Sequence, residues 1–150
     1  MAARVAVLTP FASPSVRGNA ITVDRITRGL RQRGVELRVW DLSVVPEGAV
    51  EHQIAQYGPA VIHAFHAFRT GPTAVRLARR AGVPVLVTVT GTDVNQDLID
   101  EDGAPIVRRV LEGAGAVSVF DESMAARIVE ALPATASRLV VIPQSAVFEL

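Results

Sequence analysis

Val83 to Val89 reads Val-Pro-Val-Leu-Val-Thr-Val, an almost wholly apolar run rich in β-branched residues. A strand with one wet face alternates apolar and polar side chains. This run does not alternate, so both of its faces must be covered. The centre of an open parallel sheet, with helices packed on it, meets that condition. The run then changes character at once to Thr90-Gly-Thr-Asp-Val-Asn95. A buried strand giving way to a small, polar loop marks the carboxyl edge of such a sheet, where α/β folds hold their ligands.

The rest of the chain supplies the partners this strand needs. Arg4 to Thr9, Val35 to Trp40, Pro59 to Ala64, Ala116 to Phe120 and Leu139 to Ile142 are further short strands. Between them lie segments with helical spacing. Val23, Ile26 and Leu30 give one apolar face to a helix from Asn19 to Arg33, which Gly34 ends. Ala74, Val75, Leu77 and Ala78 mark a second helix, closed by Gly82. Ile106, Val107, Val110 and Leu111 mark a third, with Pro105 in its first turn. Met124, Ile128 and Leu132 mark a fourth, capped by Asp121 or Ser123. Pro10 to Gly18 is an irregular Pro/Ser/Gly loop. The connection from Asp41 to Gly48 has room for a short helical turn after it. Strands alternating with helices predict a Rossmann-like three-layer α/β/α domain with a mostly parallel sheet. Residues 1–150 fit a single domain of ordinary size.

Composition removes several functions. Acids and bases balance at 15 each, which argues against an electrostatic nucleic-acid binder. All the bases are Arg, so no phosphate-loop lysine and no Schiff-base lysine exists. With no Cys there is no disulfide, zinc-thiolate site or thiol nucleophile. No run is apolar for long enough to span a membrane, and Val5 to Leu8 is too short for a signal peptide core. A cytoplasmic protein without a transmembrane segment is expected. The acids Asp97, Asp100, Glu101 and Asp102 suit a helix N-terminus rather than a metal, since no His or fixed ligand spacing accompanies them.

Familiar α/β machinery is also missing. No G-x-G-x-x-G follows the first strand, where only Gly18 occurs. No acids cluster at Thr9-Pro10-Phe11, and no G-x-S-x-G elbow occurs. What remains is one Gly at a helix start, His63 and His66 after the third strand, and the Thr/Asp loop after the fourth.

These residues carry a resemblance. Val5-Ala-Val-Leu-Thr-Pro10, Arg17-Gly-Asn-Ala-Ile-Thr-Val-Asp-Arg-Ile26 and Gly29-Leu-Arg-Gln-Arg-Gly34 resemble the amino-terminal domain of the two-domain (GT-B) glycosyltransferases of family 4. So do Val61-Ile-His-Ala-Phe-His66 and Val85-Leu-Val-Thr-Val-Thr-Gly-Thr-Asp93. Val141-Ile-Pro-Gln-Ser145 resembles the hinge that leads into the second domain. The resemblance implies the acceptor-side half of a cleft, with a nucleotide-sugar donor held mainly by a carboxy-terminal half that these residues do not include. It further implies transfer with retention, no obligatory metal and no cofactor beyond the nucleotide-sugar substrate, to an acceptor not named by the sequence.

The same resemblance places the site. Gly18 matches the glycine that lets backbone approach the donor diphosphate. Its N–H, with those of Asn19 and Ala20, opens a helix toward an anion, unless the glycine serves only the turn. Relatives commonly carry His before the glycine of the fourth-strand loop, whereas this chain has Thr90, which cannot do imidazole acid–base chemistry. His66, the expected catalytic residue, or the carboxy-terminal half is then expected to supply the base. His63 either contacts substrate or is a structural histidine ending a buried strand. Arg69 either pairs with a substrate phosphate or carboxylate or is a surface arginine. Thr90, Gly91, Thr92, Asp93 and Asn95 are expected to face the sugar, with Asp93 and Asn95 alternatively capping the segment that follows.

Overall fold

The computed structural model describes residues 3–12 and 18–144. Six strands run β1 (Arg4–Thr9), β2 (Glu36–Asp41), β3 (Val61–Phe65), β4 (Val85–Thr88), β5 (Ala116–Val119) and β6 (Leu139–Val141). Five α-helices separate them: α1 (Gly18–Gln32), α2 (Glu47–Tyr57), α3 (Gly71–Ala81), α4 (Ala104–Gly113) and α5 (Glu122–Ala131). The order in the sheet is β2-β1-β3-β4-β5-β6, and every neighbouring pair is parallel. The sheet is therefore wholly rather than mostly parallel, in a Rossmann-like α/β/α fold.

Alternate residues of each strand divide the core in two. Ala6, Leu8, Ile62, Ala64, Val85, Val87, Val117 and Val119 pack with residues of α2, α3, α4 and α5. On the opposite face Val7, Leu37 and Phe65 pack with Val23 of α1, bordered by Ile26 and Leu30. The stripe Val23, Ile26, Leu30 was legible from spacing alone. Burying such stripes at about 25 cal/mol per Å² is the main force holding helices to the sheet.

Punctuation follows the expected chemistry. Gly34, Gly58 and Gly82 take positive φ at helix ends, where a Cβ is penalised. Of the two caps considered for α5, Asp121 serves: its Oδ1 accepts the Met124 N–H at 2.8 Å. Three features depart from expectation. The connection after β2 leads not to a short helical turn but to the full α2, hidden because only Val50 and Ile54 are buried. Residues Asp93–Asp97 form a π-helical turn, and Pro133–Arg138 a 3-10 turn, within what read as loop and strand approach. The acids at 97–102 precede α4, whose first turn holds none; Asp100 instead accepts the Gly103 N–H at 2.9 Å. Most of the first loop, residues 13–17 with Arg17, and the hinge residue Ser145 lie outside the described residues.

The strand order fixes where a site can form. The chain goes from β1 outward to β2, then back across β1 to β3. The connections leaving β1 and β3 thus diverge, opening a crevice at their carboxyl ends.

Candidate functional site at the sheet's switch point

A cavity of about 350 Å³ occupies that crevice. This lies at the small end of the roughly 300–1,000 Å³ typical of small-molecule sites. Its described lining is Phe11 from the loop after β1, Gly18 and Asn19 at the start of α1, Arg69 from the loop after β3, and Thr90 and Thr92 from the loop after β4. Three strand ends supply one wall each.

Gly18 is free of internal constraint. A Cβ built on it meets nothing within 4 Å, and its φ is not in the left-handed region. Among the described residues, neither packing nor backbone requires glycine there. Arg69 is exposed, and its guanidinium lies 5.8 Å from the centroid of the Phe11 ring. Among the described residues it forms no ion pair, so its five donors are available to an anion. The start of Phe11's loop is held in turn by Asp41, whose Oδ2 accepts the Ala12 N–H at 3.0 Å.

Beneath the cavity the polar residues turn inward. Asp93 is fully buried. Its carboxylate accepts the N–H groups of Ala67 at 2.8 Å and of Gly91 at 2.9 Å, with longer bonds from Thr90. Gly91 reaches these bonds at φ 139°, a conformation L side chains rarely adopt. His66 is also buried and has φ 81°, unusual for a residue with a Cβ. Its Nδ1 accepts the Arg69 N–H at 3.0 Å, which places its own proton on Nε2, 2.8 Å from Thr92 Oγ1. Burial pushes the His66 imidazole below its ordinary value; Asp93 and Asp97 pull it up, and Arg69 pushes it down again. Asp97 Oδ2 stands 3.8 Å from Nε2, and burial raises that carboxyl above its usual range.

The residues that meet at this cavity lie within the span of one family model. The glycosyl transferase 4-like domain aligns with residues 1–144. The chain belongs to this glycosyl transferase 4-like family. No curated protein matches it. Among solved structures it is similar in fold to the L780 UDP-rhamnose synthase of Acanthamoeba polyphaga mimivirus, at 11% identity and TM-score 0.50, over 80% of this chain and 55% of that one. A galactofuranose binding protein matches at 12% identity and TM-score 0.47, over 93% and 54%. A Mycobacterium smegmatis protein in complex with β-D-fucofuranose matches at 18% identity and TM-score 0.45, over 95% and 54%. The chain spans about half the length of these structures.

In this glycosyl transferase 4-like domain the candidate residues separate. Gly18, Asn19, Arg69, Thr90 and Thr92 come together at the cavity. Gly91, Asp93 and His66 lie behind that wall, building it. Asn95 is not in the described lining, and its Oδ1 accepts from Arg127. His63 is buried in the sheet: its Nε2 bonds Thr88 Oγ1 at 2.7 Å, and Thr88 bonds Ser118 Oγ at 2.7 Å. Its ring stacks on Phe65, and burial pushes it down to about 4. Of its two readings, this geometry is the structural one. Spacing missed Phe11 and Asp97; an aromatic in a Pro/Ser/Gly loop after a first strand was the signal for Phe11. Among the described residues no three His, Asp or Glu side chains converge as a metal site, and no helix is long and apolar enough to cross a membrane.

Proposed function

We infer that the chain is the amino-terminal, acceptor-side half of a two-domain glycosyltransferase that uses a nucleotide-sugar donor. The observation carrying this is the convergence of Gly18, Asn19, Arg69, Thr90 and Thr92 from three strand ends on one cavity, in a chain matched by a glycosyl transferase 4-like domain over residues 1–144. The parts suit the task. The α1 N-terminus offers N–H groups to an anion, with Gly18 letting it come close. The Arg69 guanidinium binds phosphate or carboxylate through paired donors. The Thr90 and Thr92 hydroxyls can both give and accept hydrogen bonds to sugar hydroxyls. Transfer proceeds with retention and without a metal, and most of the donor site belongs to a carboxy-terminal half, as the family resemblance implies.

The test is a panel of UDP-, GDP- and ADP-hexoses incubated with the full gene product, scored for nucleoside diphosphate release and for binding by calorimetry. Release with one nucleotide class supports the reading; neither release nor binding with any of them removes it. One observation favours a second reading. Among the described residues no carboxylate or imidazole lines the cavity. A non-catalytic module for a small phosphorylated ligand or a partner protein fits that lining. Tight sugar-phosphate binding without turnover selects it.

A further inference from the structure

His66 occupies an odd position for a base. It is buried, its ring nitrogens are both engaged, and it is absent from the described lining of the cavity. Yet its two ring partners, Arg69 and Thr92, both line that cavity. The arms that carry them leave different strands, β3 and β4, and the imidazole spans the gap between them. We propose that His66 is a positioning residue: its Nδ1 holds the Arg69 backbone and its Nε2 holds the Thr92 hydroxyl, so the anion-facing wall of the cavity forms only while the ring is unprotonated. The ligand role rests on the glycosyltransferase reading; the brace itself does not.

The backbone supports this. At φ 81° the His66 N–H still donates to Thr88 O at 3.0 Å, and its carbonyl accepts the Thr70 and Gly71 N–H groups at the entry to α3. Glycine or asparagine would hold this left-handed position with less strain. Histidine tolerates it here and alone adds a second nitrogen that reaches Thr92. With Nε2–H donating, Thr92 Oγ1 keeps its own O–H free to donate to a ligand. Protonation puts a hydrogen on Nδ1 facing the Arg69 N–H. Two donors then oppose each other and the bond is lost. The charged groups around the ring are Asp93 and Asp97 of the π-helical turn and Arg69 on its own loop. The carboxylates draw a proton in, while burial and Arg69 keep it out, and burial is the largest of these effects.

The test is a pH titration by nitrogen and proton NMR on wild type, His66→Asn, Thr92→Val and the double variant, with inorganic pyrophosphate as anion probe. Asparagine suits the left-handed backbone and keeps an acceptor near the Arg69 N–H, but it does not reach Thr92 and does not titrate. The wild-type ring is expected to be the neutral Nε2–H form at pH 7. The Arg69 and Thr92 amide signals should shift with the midpoint of the ring, and pyrophosphate should bind about tenfold more weakly below it, beyond any change seen in His66→Asn. The variant supplies the probe's own pH dependence as baseline. At pH 7 His66→Asn should bind about tenfold more weakly than wild type, and adding Thr92→Val should cost less there than it does in the wild-type background, because the His66–Thr92 bond is already gone. A ring charged at pH 7, Arg69 and Thr92 signals indifferent to its titration, or additive losses in the double variant would overturn the proposal. Absence of sugar-nucleotide turnover with the brace behaving as described would instead remove the reaction and leave the brace.

Discussion

Asp93 Oδ2 accepts the Ala67 N–H at 2.8 Å, joining the loop after β4 to the loop after β3. The same side chain accepts from Gly91 at 2.9 Å and from Thr90, so one buried carboxylate folds the polar loop and ties it to its neighbour. Its sequence looked suited to sugar hydroxyls, but its acceptor positions already serve backbone. Asp93→Ala strands these donors in the interior and should cost about 3 kcal/mol of stability. Asp93→Asn, which keeps one acceptor oxygen, should cost less. Urea unfolding of both variants checks the order.

Gly18→Ala separates fold from function. The described surroundings leave a Cβ unopposed at this helix start, and alanine is the better helix former. Stability should stay level or rise by up to about 1 kcal/mol. Ligand affinity should nonetheless fall, since the Cβ projects where an anion would approach the helix N-terminus. Thermal melts paired with calorimetry read the two effects apart. Unchanged affinity would return Gly18 to a turn residue.

Arg69→Gln should leave stability within about 0.5 kcal/mol, because the side chain is exposed and pairs with no acid among the described residues. Anion binding should weaken by about tenfold, and Arg69→Lys should restore it only in part, since an ammonium lacks the paired donors. Pyrophosphate titration at low and moderate salt measures both.

His63 sets a pH limit on the fold. Burial moves its ring from 6.5 down to about 4. Above pH 6.5 both folded and unfolded chains hold it neutral. As pH falls from 6.5 toward about 4, the unfolded chain takes a proton the folded one refuses, and stability is lost through that window. The full loss is about 3 kcal/mol from this group. His63→Gln cannot titrate and should flatten that part of the stability curve. Urea unfolding at pH 7.5 and near pH 4 on both proteins compares them, and equal slopes would remove His63 as the cause.

Much of the fold was legible because its causes are local. Val23, Ile26 and Leu30 announce α1 by spacing, and Gly34 and Gly82 announce helix ends by their need for positive φ. Elements with weak local signals were not legible. α2 buries only Val50 and Ile54, too narrow a stripe to separate from a connection. The π-helical turn at Asp93–Asp97 depends on a wider backbone turn, closed by the Leu98 N–H on Asp93 O, which no short motif specifies.

The sequence by itself determined the alternation of strands and helices, because a run such as Val83 to Val89 can be satisfied only with both faces covered. It also determined which loops carry polar chemistry. Only the tertiary structure decided which of those residues meet. Pairing of β1 with β3 brings Gly18 and Arg69 to one cavity although they are distant in the chain. Thr92 lines that cavity while its neighbour Asp93 is sealed behind it, and Arg69 is exposed while His66, three residues earlier, is buried. In regular elements, side-chain direction repeats with a known period. In these loops it is set by single dihedrals, the positive φ of His66 and of Gly91, and by a carboxylate collecting backbone N–H groups from two strands.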